Sequence, residues 1–103
     1  MTKEEFEAAL EKYVAGVTKM YLEWCGTIYP NAQINLEHRT RYIKVVTNNG
    51  HSSSVHSFID TTNGDILKGS WKAPVKNGVR GNILAENNGL DKVNWHGPKY
   101  LRN

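Results

Sequence analysis

The sequence predicts an α+β fold: an N-terminal amphipathic helix packed on a three- to four-stranded antiparallel meander, with an irregular C-terminal segment wrapped on the sheet. Three observations predict it. Apolar residues recur at three- and four-residue steps up to residue 25, the pattern then changes to period two up to residue 68, and turn signals separate the period-two stretches. Laying one helix on a meander is the simplest way to bury both apolar faces. The chain of 103 residues fits one domain, residues 1–103.

The predicted helix has start and stop signals. Thr2 and Glu5 have the spacing of a capping box, in which each side chain bonds the other residue's backbone N–H. Gly26 is a typical terminator, and Gly16 indicates that another backbone segment passes close to the helix. Cys25, the single cysteine, lies on the apolar stripe, so we expect a buried thiol and no disulfide framework. The stripe consists of Phe6, Leu10, Tyr13, Val14, Val17, Tyr21, Trp24 and Cys25.

Four stretches are predicted to be strands. Residues 34–38 alternate apolar and polar side chains, and residues 42–47 and 54–60 are rich in β-branched and aromatic types. The Asn-Gly pairs at residues 49–50 and 63–64 supply turn signals, and residues 66–68 form the returning strand. These stretches therefore form a meander.

The last third of the chain is predicted to be irregular. It is rich in glycine and asparagine, which favour turns over regular elements. It also contains apolar residues such as Trp71, Ile83, Leu90 and Trp95, which are too many for a free tail. We therefore expect it to wrap against the sheet.

Composition favours a cytosolic protein. With 39% hydrophobic and 22% charged residues, the chain lacks the composition of a disordered protein. The N-terminus is acidic without an apolar signal region, and no apolar run approaches the roughly 18–20 residues of a membrane span. A single cysteine suits a reducing compartment. We therefore expect no membrane association.

Positive charge is unevenly placed. Residues 1–30 carry five acids and three bases, whereas residues 31–103 carry ten bases and five acids. Between residues 66 and 80 there are four bases and no acid, with one tryptophan among them. Interleaved aromatic and cationic groups can stack on a base and neutralise a phosphate, so this segment is the candidate binding site. The candidate residues for binding nucleic acid or a nucleotide are Arg39, Arg41, Lys44, Lys68, Trp71, Lys72, Lys76 and Arg80.

Two interpretations of this segment remain open. Trp71 is either a core residue or a stacking platform, and burial is favoured because tryptophan is highly buried on average. The lysines form either an anion-binding surface or a solvated face.

The segment also carries a family resemblance. It contains Gly64-Asp65, then Ser70-Trp71-Lys72-x-Pro74-x-Lys76, then Arg80-Gly81-Asn82-Ile83. This order resembles a group of small, largely uncharacterised proteins encoded by tailed bacteriophages. The resemblance implies a phage origin and a location in the host cell cytoplasm, and it implies no catalytic residues.

No catalytic or metal-binding constellation is recognisable. The four histidines lack zinc-motif spacing, and Ser53, His56 and Asp60 form a triad only on paper because no nucleophile-elbow sequence supports it. We therefore expect a non-enzymatic protein without a metal or cofactor. Two alternatives to anion binding stay open: a protein–protein inhibitor of a host enzyme or defence complex, and a minor virion component.

Overall fold

The computed structural model describes residues 2–99, apart from the side chain of Lys76. Helix α1 is followed by five antiparallel strands, which lie side by side in chain order, and by a short 3₁₀ helix. The bounds are α1 Lys3–Cys25, β1 Gln33–His38, β2 Tyr42–Asn48, β3 Ser53–Asp60, β4 Asp65–Gly69, β5 Pro74–Asn82 and the 3₁₀ helix Glu86–Lys92. The predicted α+β class, with an N-terminal helix and an antiparallel meander, is confirmed.

The helix begins and ends as its sequence predicts. Thr2 Oγ1 accepts from the N–H of Glu5 at 3.1 Å, and the Glu5 carboxylate accepts from the N–H of Thr2 at 3.4 Å. The helix ends at Cys25, whose thiol is buried. The close neighbour of Gly16 is the side chain of Leu90 and not the backbone segment that was predicted; the 3₁₀ helix packs there because Gly16 has no side chain.

The sheet has one strand more than the three or four predicted. The additional strand is β5, which lies in the segment expected to be irregular. Its pairing with β4 shifts register twice, and Asn77 has a left-handed φ of 61°. These irregularities interrupt the period-two pattern, so the strand leaves no alternating signal in the sequence.

The pairing register divides the sheet into two faces. Ile43 lies opposite Ile59, and Ile59 opposite Ile66; all three belong to the core cluster beneath α1. Between them, Lys44 lies opposite Phe58, and Phe58 opposite Leu67. Because side chains alternate along a strand, this second row lies on the face away from α1, which we call the outer face.

The C-terminal segment wraps against the helix-side face, as predicted. Val93 is buried and forms an isolated antiparallel bridge with Pro98. No helix within residues 2–99 combines the length and hydropathy that a membrane span requires.

A buried chain of hydrogen bonds joins the helix, the sheet and the C-terminal segment. His56 Nε2 lies 2.8 Å from the carbonyl oxygen of Asn94, so this nitrogen carries the proton. Nδ1 then accepts from Ser57 Oγ at 2.9 Å, which leaves Ser57 to accept from the Tyr13 hydroxyl at 2.7 Å. Burial lowers the pKa of His56 to about 4 despite the opposing hydrogen bond to Asn94, and burial raises the pKa of Tyr13. The chain therefore requires neutral His56.

The first prediction concerns pH. The unfolded chain binds a proton at the ordinary histidine pKa of 6.5, whereas folded His56 resists protonation down to about 4. Stability is therefore unaffected by His56 above pH 6.5 and falls as the pH drops towards 4. The expected loss in the free energy of unfolding is on the order of 3 kcal/mol, measured by urea denaturation at a series of pH values.

The matched variants are His56→Gln and His51→Gln, which remove a buried and an exposed histidine respectively. His51→Gln should retain the pH dependence between 6.5 and 4, and His56→Gln should lose most of it. Equal slopes in the two variants would contradict the assignment to His56.

Candidate anion-binding cleft

A cleft opens on the helix-side face, between the ends of the central strands and the C-terminal segment. Its volume is about 770 Å³. Strands β3, β4 and β5 contribute one wall and residues 91–99 the other. The charged lining consists of four bases and a single acid, Lys68, Arg80, Lys92, Lys99 and Asp91. A concave surface with this imbalance concentrates positive potential.

Arg80 occupies a bulge in β5. Val79 lies opposite Leu67 and Gly81 opposite Ile66, so Arg80 is the extra residue between two pairs. Its Nε is buried and has no hydrogen-bond partner among the described residues. Nη1 donates to the adjacent Val79 carbonyl at a long 3.4 Å. A buried donor without a partner is costly, so this guanidinium retains strong capacity to bind an acceptor in the cleft.

The remaining bases come from two directions. Lys68 extends from β4 on the helix-side face, since its neighbours Leu67 and Gly69 face outward. Lys92 lies 4.0 Å from the Asp91 carboxylate, an exposed pair that holds neither side chain firmly. Lys99 Nζ donates to the Asp91 carbonyl at 3.1 Å. The bridge between Val93 and Pro98 therefore brings both C-terminal lysines to the cleft.

Two histidines, His56 and His96, also line the cleft. Both ring nitrogens of His56 are engaged by Ser57 and Asn94. His96 is exposed on the turn beside Asn94. The described residues contain no group of three or more His, Cys, Asp or Glu side chains placed to hold a metal ion.

The structure separates the residues that the sequence grouped into one site. Lys68 and Arg80 line the cleft, whereas Lys44 and Trp71 lie on the outer face. Lys72 is exposed in the loop between β4 and β5. Lys76 lies in β5, but its side chain falls outside the described atoms.

Two of the three arginines in the candidate set, Arg39 and Arg41, have acidic partners. Arg39 lies 3.5 Å from Glu37. Arg41 donates to Asp60 Oδ2 through Nε at 3.3 Å and Nη2 at 3.1 Å, and Thr62 donates to Oδ1. Burial acts to raise the pKa of Asp60, but these hydrogen bonds outweigh burial and lower it. Arg41 therefore ties the start of β2 to the turn after β3.

Lys44 is buried, and its ammonium faces an aromatic ring. The residue is 1% exposed, and Nζ lies 3.7 Å from the centroid of the Trp71 ring. Its register partner on β1 is Glu37, but that carboxylate pairs with Arg39 instead. Trp71 is 52% exposed, so the interpretation favoured from the sequence, that it is a core residue, is wrong. One face of the indole covers Lys44 and much of the ring remains open.

Sequence reasoning missed Lys92 and Lys99. Their only signal was the excess of bases over acids in residues 31–103. They join Arg80 because a β-bridge folds the C-terminal segment back, and no local pattern announces that bridge.

The second prediction tests the contact between Lys44 and Trp71 by a double-mutant cycle. Trp71→Ala should lower the free energy of unfolding more in the wild type than in the Lys44→Met background. The expected coupling is about 1–2 kcal/mol, because a desolvated ammonium loses its aromatic partner. Lys44→Met alone should change the free energy of unfolding little, since an apolar side chain of similar size replaces the ammonium against the ring. Urea denaturation of the four proteins measures the cycle, and additive effects would contradict the contact.

A family model described as a family of unknown function matches residues 2–101. No curated protein and no solved structure matches the chain.

Proposed function

We propose that this chain, which belongs to DUF7717, a family of unknown function, is a non-enzymatic protein that binds a phosphate-bearing partner. The partner is a nucleic acid or nucleotide, and it binds in the basic cleft. The observation that carries this proposal is the cleft lining of four bases and one acid, which includes Arg80, whose Nε has no hydrogen-bond partner among the described residues.

The chemistry of the guanidinium supports a phosphate. Arginine presents its N–H groups as a planar fork, and phosphate oxygens accept from such a fork in pairs. Arg80 lines the cleft, and the hydrogen bond printed for its guanidinium is a long one from Nη1 to the Val79 carbonyl, so N–H groups remain for an oxyanion. Lys68, Lys92 and Lys99 surround this position and suit the neighbouring phosphates of a chain.

The biological setting is part of the same proposal. The motif from Gly64 to Ile83 supports a phage-encoded protein that acts in the cytoplasm of its host. A small basic cleft suits either phage or host nucleic acid as the ligand.

The third prediction tests the cleft directly. Affinity for a fluorescent single strand of about 12 nucleotides should fall steeply as salt rises, because phosphate contacts release counterions. Arg80→Gln should lower affinity roughly tenfold or more, as expected for a charge-assisted hydrogen bond of about 1.5–3 kcal/mol. It should also reduce the slope of log affinity against log salt by about 0.7. Fluorescence anisotropy measures both quantities.

Arg39→Gln is the matched control, because it removes the same charge from a residue that pairs with Glu37 outside the cleft. Its affinity should stay close to that of the wild type. Undetectable binding at low salt, or equal losses in the two variants, would refute the cleft as the binding site.

A second candidate function, inhibition of a host protein, is favoured by an exposed aromatic patch. Trp24 stacks on Trp95 with ring centroids 3.6 Å apart and an interplanar angle of 5°. Trp24 is 50% exposed, and Ile28 beyond the helix end is 71% exposed. Tryptophans at such positions commonly anchor protein interfaces. A host protein retained by the wild type and released by Ile28→Glu would support this candidate, and retention by both proteins would argue against the patch.

A further inference from the structure

We propose that the exposed face of Trp71, backed by the ammonium of Lys44, stacks on an unpaired nucleobase, so that the partner of this protein is single-stranded nucleic acid. This inference rests on the proposed function, because the cleft supplies the phosphate contacts and the outer face supplies the contact to a base.

The outer face holds Trp71 in a defined position. The loop between β4 and β5 closes as a tight turn, in which the N–H of Ser70 donates to the carbonyl of Ala73 at 2.9 Å. From this turn the indole lies back over β2 and reaches Lys44, whose strand neighbour Phe58 is fully buried. The ring is therefore supported from below while about half of its surface is open, which is the form of a stacking platform.

The buried ammonium points to a ligand with negative charge. Lys44 is 1% exposed and makes no ion pair or hydrogen bond with the described residues. Among the described residues its partner is the Trp71 ring, and no described carboxylate balances its charge. A ligand that brings negative charge close to Trp71 is attracted by this ammonium. A nucleotide meets this requirement, since its base is flat and its backbone is anionic.

The same ammonium sets the preference of the open face. A cation beneath an aromatic ring draws π-electron density towards itself, so the opposite face becomes less negative. That face attracts an electron-rich ring, such as a purine, and repels a second cation. A lysine or arginine of a partner protein therefore binds less well to Trp71 than to an exposed tryptophan that has no cation beneath its ring.

The position of the two surfaces selects a polymer with free bases. Gly69 lines the cleft on the helix-side face. On the outer face, the ring of Phe58 fills the space that a side chain at position 69 would take. The end of the β4–β5 hairpin is thus the short route from the cleft to Trp71, and the exposed Lys72 lies along it. One mononucleotide cannot occupy both faces of a sheet, whereas a strand of several nucleotides can pass around the hairpin. Bases paired in a duplex are not available to stack.

The fourth prediction compares three probes by fluorescence anisotropy: a purine single strand of about 12 nucleotides, an abasic strand of equal length, and a duplex. Wild-type protein should bind the purine strand about tenfold or more tighter than the abasic strand, since one stacked base contributes about 1–3 kcal/mol. Trp71→Ala should abolish this difference without changing the salt dependence. Lys44→Met should reduce the difference, because the ring stays in place without its cation.

Lys12→Met is the control for charge, because Lys12 is exposed on α1 and belongs neither to the cleft nor to the outer face of the sheet. It should preserve the preference for the purine strand. Circular dichroism checks that each variant is folded. If Trp71→Ala disturbs the loop between β4 and β5, Lys44→Met still tests whether the Trp71 ring stacks on a base.

The outcomes separate this inference from the proposed function. If Arg80→Gln weakens all probes while Trp71→Ala leaves the purine preference intact, the stacking site is overturned and anion binding stands. If Trp71→Ala weakens duplex and single strand equally, stacking on an unpaired base is overturned. If no probe binds at low salt, both the proposed function and this inference fail.

Discussion

The hydrogen-bond chain from Tyr13 through Ser57 and His56 to Asn94 is the interaction on which the rest of the structure depends. It joins α1, β3 and the C-terminal segment inside the core, and each member has one geometric role. Because His56 Nε2 holds the carbonyl of Asn94, the turn that follows is fixed beside β3. That turn forms one wall of the cleft, so the hydrogen bond of His56 also positions a wall of the cleft.

The sheet turns one basic segment of sequence into two different surfaces. Lys68 and Trp71 are three residues apart, yet strand alternation and the tight turn after β4 send them to opposite faces. On the helix-side face, bases converge around an unpartnered Arg80 donor. On the outer face, a single buried ammonium supports an open indole. The proposed binding of a single strand uses both surfaces: the basic cleft for the phosphates and the open face of Trp71 for a base.

Several bases in this protein serve the fold. Arg41 is held by Asp60 at the entrance to β2, and Arg39 pairs with Glu37. Lys44 is enclosed beneath Trp71. Net charge is therefore a poor guide to the binding surface of a small domain, because a base that is paired with a carboxylate of the fold is less available to a phosphate. The informative base is Arg80, whose Nε has no hydrogen-bond partner among the described residues.

The sequence by itself determined the helix, its caps and four of the five strands, because these depend on local signals: the capping box of Thr2 and Glu5, alternation along β1, and β-branched and aromatic runs separated by Asn-Gly turns for the strands that follow. It also identified Lys68 and Arg80 as candidates. Only the tertiary structure decided that β5 is a strand, because its bulges interrupt the alternation of side chains that would have predicted it. It also decided that Lys92 and Lys99 line the same cleft as Arg80. Pairing register and long-range bridges decide which side chains share a face, and neither is encoded in the residues adjacent to the site.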